Sequence, residues 1–142
     1  MIVPDINLLV YAYNADAPMH RAAKAWWERV LSDYRPVAMP WIVCHGFLRL
    51  MTHPRVLERP LRVGTAILHV RSWLEWPSVQ IIEPGGRHLE ILGAILMEAG
   101  AVGNMTTDAV LAALAIEYQC ELYSNDTDFA RFSGLRWINP LK

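Results

Sequence analysis

Four aspartates stand where apolar segments begin or end. Asp5 directly follows Met1-Ile2-Val3-Pro4, Asp108 heads Ala109-Val110-Leu111-Ala112-Ala113-Leu114-Ala115, and Asp126 and Asp128 lie in Ser124-Asn125-Asp126-Thr127-Asp128-Phe129. Carboxylates that converge repel one another unless they are protonated or bridged by a cation, and hard oxygen ligands of this kind suit Mg²⁺ or Mn²⁺. The chemistry to expect is that of a metal-dependent enzyme. Each acid also has a plainer job available: an aspartate at a helix start complements the helix dipole for about 0.3 to 1 kcal/mol, and one in a turn bonds its own backbone. A shared site is favoured by their common placement, because an α/β sheet binds ligands where its strands end and its helices begin. Asp126 and Asp128, two positions apart, face the same way in an extended segment and need not in a tight turn. Asp-Thr-Asp lacks the glycine and distal glutamate of a calcium loop, and Ser124-Asn125 separate it from the strand that a phosphoaspartyl motif needs directly before it.

The elements that must position these acids alternate short apolar runs with helical patterns. Strands are expected at Met1 to Val3, Val37 to Met39, Val79 to Ile82, Glu121 to Ser124 and Arg136 to Ile138. Helices are expected at Ile6 to Tyr13, His20 to Leu31, Pro40 to Met51, Leu61 to Trp76, Arg87 to Ala99 and Asp108 to Tyr118. The second is amphipathic, with Ala22, Ala23, Ala25, Trp26, Trp27, Val30 and Leu31 recurring at helical spacing. The last is apolar on nearly every side and must be buried, with Thr106 or Thr107 available as its N-cap and Gly100 closing the helix before it. This rhythm predicts an α/β fold, a three-layer α/β/α sandwich with a central parallel sheet. Asp5, Asp108 and Asp126 would then project from the carboxyl edge of one sheet into one crevice.

At 142 residues and 54% apolar content, one domain spanning 1–142 with a sizeable core is expected. No apolar run approaches the roughly 18 residues that span a bilayer, and no secretory signal opens the chain, so no membrane association and a cytoplasmic location are expected. Cys44 and Cys120 lack metal-ligand spacing and are expected as buried thiols. Net charge is −1, which by itself argues neither for nor against nucleic acid. Its distribution says more: residues 49–71 carry Arg49, Arg55, Arg59, Arg62 and Arg71 with His53 and His69 against the single acid Glu58. Such a cluster either binds phosphates, with Arg49, Arg55 and Arg59 as the candidate contacts, or solvates helix faces. Trp26, Trp27 and Trp41 either line a groove for an amphipathic partner segment or belong to the core.

Over nearly its whole length the chain resembles the PIN-domain ribonucleases, and more narrowly the VapC-type toxins of bacterial and archaeal toxin–antitoxin pairs. The resemblance rests on Pro4-Asp5-Ile6-Asn7, on Phe47-Leu48-Arg49 with Thr52-His53-Pro54-Arg55-Val56, on Gly103-Asn104 before Thr107-Asp108-Ala109, and on Ser124-Asn125-Asp126-Thr127-Asp128-Phe129 with Phe132 and Gly134-Leu135-Arg136-Trp137. It implies an endoribonuclease that hydrolyses RNA phosphodiesters at an acidic Mg²⁺ or Mn²⁺ site and so inhibits translation or growth. It also implies a cognate VapB-like antitoxin and a homodimer. Asp5, Asp108 and Asp126 match the family's metal-binding acids, and Asp128 a further catalytic acid. Asn7, Asn104 and Ser124 either orient the carboxylates or make ordinary turn and cap bonds.

One departure stands out. Gly46, in Cys44-His45-Gly46, falls where the family usually supplies a glutamate. His45 is one helical position away, about 100° of rotation, and cannot take the same place. The competing expectation is therefore a catalytically weakened PIN module acting mainly as an RNA- or protein-binding unit.

Overall fold

Burial is continuous through β1 (Ile2–Pro4) and β2 (Val37–Pro40), which is the signature of strands covered on both faces. The computed structural model describes residues 1–100 and 103–142. Its sheet is completed by β3 (Val79–Ile82), β4 (Glu121–Tyr123) and β5 (Arg136–Ile138), in the order β3-β2-β1-β4-β5 and parallel throughout. The helices are α1 (Ile6–Tyr13), α2 (His20–Ser32), α3 (Trp41–Met51), α4 (Val63–Leu74), α5 (His88–Ala99) and α6 (Thr106–Glu117). Crossovers between parallel strands are right-handed, so the α1–α2 and α3–α4 connections, which step one way along the sheet, cover one face. The α5–α6 connection steps back past β2 and β1 to β4 and covers the other. The α/β/α sandwich is thus as expected, and the direction of winding reverses between β1 and β4. At that reversal the carboxyl ends of adjacent strands leave a crevice.

Several boundaries differ from the expected ones for local reasons. Pro40 ends β2 in extended conformation and flanks α3 instead of opening it. The chain enters α6 from a 3₁₀ turn at Gly103–Met105, so Thr106 and Thr107 occupy the first helical turn and neither caps it with its side chain. α4 is trimmed to Val63–Leu74. Gly100 closes α5 at φ 61°, a left-handed conformation that suits glycine. Among the described residues no helix is long and apolar enough to cross a membrane. Cys44 and Cys120 are both free and buried, and burial pushes the Cys44 thiol up to about 11.

Of the two readings open for Trp26 and Trp27, the core is the one the structure bears out, because both are buried. Trp26 stacks on Tyr123 with ring centroids 5.7 Å apart, and Trp27 packs edge-on against Trp73 at 5.8 Å. Trp73 also meets Phe47 at 4.7 Å and donates from its indole nitrogen to Tyr13 Oη at 2.7 Å. One fully buried ring therefore joins α1, α2, α3 and α4, the layer that carries the Asp5 end of the crevice. Trp73→Ala is expected to cost about 3 to 5 kcal/mol, as truncations of large buried aromatics do. A urea midpoint unchanged from wild type would contradict that role.

Candidate active site

Local backbone chemistry puts each acid in place. Asp5 leaves β1 in extended conformation (ψ 158°) and caps α1, its Oδ1 accepting the Ile6 N–H at 2.7 Å. Its own N–H donates to the Tyr123 carbonyl at 2.9 Å, which fastens it to the end of β4. Ser124, the residue directly after that strand, is fully buried. The Ser124 hydroxyl donates to Asp5 Oδ2 at 2.7 Å and accepts both the Asp126 N–H at 3.0 Å and Asn7 Nδ2 at 3.3 Å. Asp126 then caps the 3₁₀ turn Thr127–Arg131, its Oδ1 accepting the Asp128 N–H at 2.9 Å. Trp137 in β5 donates to the Ser124 carbonyl at 3.0 Å and holds the segment from the other side. Asp108 arrives separately, in the first turn of α6.

These elements bring one carboxylate oxygen each from Asp108, Asp126 and Asp128 within 4.8 Å of one another. Asp5 is the most buried of the four acids, 6% exposed, and is charge-coupled to both Asp108 and Asp126. Burial raises its carboxyl, with Asp126 adding to the rise, against the lowering effect of its hydrogen bonds to Ser124 and Ile6. Asp108 is pushed up to about 6, first by burial and then by the charges of Asp5, Asp126 and Asp128. The trio within 4.8 Å includes Asp128, which the sequence pointed to as a further catalytic acid and not as one of the metal-binding three. The turn joins it to Asp126, and spacing alone could not foretell that. Of the proposed orienting residues, Ser124 and Asn7 make the bonds above, and the Asn104 side chain lies outside the described residues.

The donor set fits a hard divalent cation. All the converging atoms are carboxylate oxygens, no cationic side chain pairs with them among the described residues, and Asn7 Oδ1 is a buried acceptor without a donor beside Asp5 and Ser124. A cation and its water shell would satisfy both features. Gly46 supplies no further ligand: a Cβ built there would meet Ile6 Cδ1 at 2.3 Å, so α3 approaches the first turn of α1 closely at this glycine. A glutamate would need Ile6 to move. The candidate RNA contacts sit farther along the chain: Arg49 is in the last turn of α3, and Arg55 and Arg59 follow it in the loop before α4, all exposed. Arg59 pairs with Asp16 at 2.7 Å, whereas Arg49 and Arg55 have no ion pair among the described residues.

Fold and site together define a parallel α/β domain with an acidic centre at its switch point. The family model described as PIN domain matches residues 2–135, and the chain belongs to that family, in its VapC branch. Ribonuclease VapC33 of Mycobacterium tuberculosis is 45% identical over 142 residues, which cover 100% of this chain and 99% of that protein. Ribonuclease VapC37 of the same organism is 38% identical over 140 residues, covering 99% and 97%. Among solved structures, M. tuberculosis VapC20, described as a sarcin-ricin loop cleaving toxin, superposes with a TM-score of 0.70 at 21% identity over 96% of this chain and 99% of its own. VapBC2 from Rickettsia felis, bound to a promoter DNA fragment, gives 0.71 at 20% identity over 98% of each chain.

Two outcomes follow from this geometry. A carboxyl raised in the folded state contributes stability that is fully present below its unfolded value and is lost as pH rises through its folded value. Without added cation, the wild-type protein should therefore lose stability relative to Asp108→Asn between about pH 4 and pH 7, read as the difference in urea midpoint; a difference that stays flat would contradict an Asp108 carboxyl raised by burial and by its acidic neighbours. Ser124→Ala leaves the Asp126 N–H and one Asp5 oxygen without their partner in a buried place, and should cost about 1 to 3 kcal/mol. A midpoint equal to wild type would mean that the hydroxyl does not anchor the acids.

Proposed function

We infer that this chain is a divalent-metal-dependent endoribonuclease, the toxin of a VapBC-type toxin–antitoxin pair, working as one domain in the cytoplasm and inhibiting translation or growth by cutting RNA. The observation that carries this is the convergence of Asp108, Asp126 and Asp128 beside Asp5, in a chain 45% identical to a protein named as a ribonuclease. Asp5, Asp108 and Asp126 would hold Mg²⁺ or Mn²⁺, with Asp128, whose oxygen lies within 4.8 Å of those of Asp108 and Asp126, as a supporting fourth carboxylate. Bound there, such an ion supplies activation of a water for in-line attack and offsets charge on the phosphoryl oxygens, leaving 5′-phosphate and 3′-hydroxyl ends.

The protein's own contribution is orientation. Ser124 fixes Asp5 and the Asp126 backbone, and through them two sides of the crevice. Asp128, the most exposed of the four, would help to orient the attacking water. Arg49 and Arg55 offer charge to the phosphates of the strand, and Arg59 can do so by exchanging Asp16 for phosphate, an exposed pair of small worth. The partners are an RNA substrate, a VapB-like antitoxin and a second copy of the chain, in keeping with the VapC name of the relatives.

Gly46 favours a second reading, a weakened PIN module that mainly binds RNA or protein, because it leaves one carboxylate fewer than the family pattern. The same experiment separates the two. Asp5→Asn, Asp108→Asn and Asp126→Asn should each abolish RNA cleavage by purified protein in Mn²⁺ or Mg²⁺ while preserving the circular dichroism spectrum, since an amide is a poor ligand for a hard cation. Asp128→Asn should lower the rate about 10-fold, as loss of a supporting group does. Wild-type rates in the first three variants, or a wild-type protein that cuts no RNA in either metal, would overturn the nuclease.

A further inference from the structure

Beside the carboxylates lies a surface the ribonuclease chemistry has not used. Trp41, the first residue of α3, is 42% exposed, and its ring lies 6.1 Å from that of His45 at an interplanar angle of 20°. His45 is itself exposed and one helical turn on. The Trp41 side chain also lines a cleft of about 350 Å³ with Ile42, Ile82, Glu83, Val110 and Leu114.

The register places this cleft next to the crevice. Ile2 of β1 is level with Val37 of β2, so three residues on Asp5 is level with Pro40, and Trp41 follows at once. Adjacent strands run about 4.8 Å apart. On the opposite layer, α6 carries Asp108 into the crevice and, two and six residues later, Val110 and Leu114 into the cleft.

The lining selects its occupant by chemistry. Its walls are apolar, one is an indole, and the only charged residue of the lining is Glu83, so nothing in it attracts a phosphate. A carboxylate accepts from the exocyclic amines and ring N–H groups of a nucleobase, and single-stranded RNA is held by bases stacked on aromatic side chains. A second copy of the chain fits poorly: stable interfaces bury about 1,200 to 2,000 Å², and among the described residues Trp41 is the one exposed large apolar side chain here. The others, such as Val63, Ile67 and Leu68 on α4 and Leu89 and Met97 on α5, lie on other elements.

We propose that Trp41, backed by His45, is the stacking platform for a base adjoining the scissile phosphate, with Glu83 facing that base's hydrogen-bonding edge. This rests on the ribonuclease function inferred above. Trp41 touches the substrate strand without touching the reacting atoms, so it acts on binding and register, not on the chemical step.

The test uses single-stranded RNA oligonucleotides, cut by the wild-type protein and bound without cutting by Asp108→Asn. Trp41→Ala should raise KM and, in the Asp108→Asn background, Kd by at least about fivefold, the factor equivalent to about 1 kcal/mol for one stacked base. kcat should stay within about twofold, and Trp41→Phe should keep most of the affinity. An abasic nucleotide walked along the oligonucleotide should weaken wild-type binding most at one position and have no further effect there in Trp41→Ala. Glu83→Gln should change which base is preferred at that position.

If wild type and Trp41→Ala cleave and bind alike while Asp108→Asn is inactive, the platform is wrong and the nuclease stands. If Trp41→Ala instead turns a dimer into a monomer by light scattering with oligonucleotide binding unchanged, the face belongs to a second copy and the platform is overturned. A wild-type protein that neither cuts nor binds the oligonucleotides overturns both.

Discussion

Asp5, Asp108, Asp126 and Asp128 repel one another across a crevice whose floor is apolar sheet, and holding them there is the constraint that orders the surrounding structure. The repulsion and burial are visible in the raised carboxyls of Asp5 and Asp108. Two of the four are held by one hydroxyl. Ser124 donates to Asp5 and takes the backbone N–H of Asp126, so two acids from distant parts of the chain are tied to one buried atom. That atom is positioned in turn by strand pairing, because Ser124 donates its own N–H to Ile138 and Asp5 donates to Tyr123. The sheet's reversal between β1 and β4 is thus more than topology: it sets Asp5 and Ser124 on neighbouring strand ends, within reach of one hydrogen bond.

Much of this was legible in the chain because local signals and global fold agree. The limits of α1 follow from Asp5 as cap, and the burial of α6 follows from an alanine-rich run with no polar face. The parallel sheet follows from the alternation of elements, and with it the convergence of Asp5 and Asp126. What the chain left open or misplaced has physical causes. Trp26 and Trp27 sit on an amphipathic helix whose apolar stripe looks the same whether a partner or the protein's own core covers it, and here Tyr123 and Trp73 cover it. Asp128 joins the tightest trio through a 3₁₀ turn, which two-residue spacing does not specify. Thr106 and Thr107 are not caps because a turn runs straight into the helix.

At Gly46, where a further carboxylate was expected from the family pattern, packing leaves no room for a side chain unless a neighbour moves. The side chain of Ile6, the residue directly after Asp5, fills the space into which a residue 46 side chain would grow. A cation bound among the remaining acids would, at and below about pH 6, displace the proton that burial and the neighbouring charges keep on Asp108.

That displacement gives the most direct test of the site. Titration calorimetry with Mn²⁺ at about pH 6, repeated in buffers of different ionisation enthalpy, reports the protons released per ion bound. With Asp108 ionising at about 6, roughly half a proton should be released at that pH and almost none at about pH 8, and Asp108→Asn should bind far more weakly. Mn²⁺ binding with no proton release at about pH 6, or with equal affinity in Asp108→Asn, would contradict a cation site built on these four aspartates.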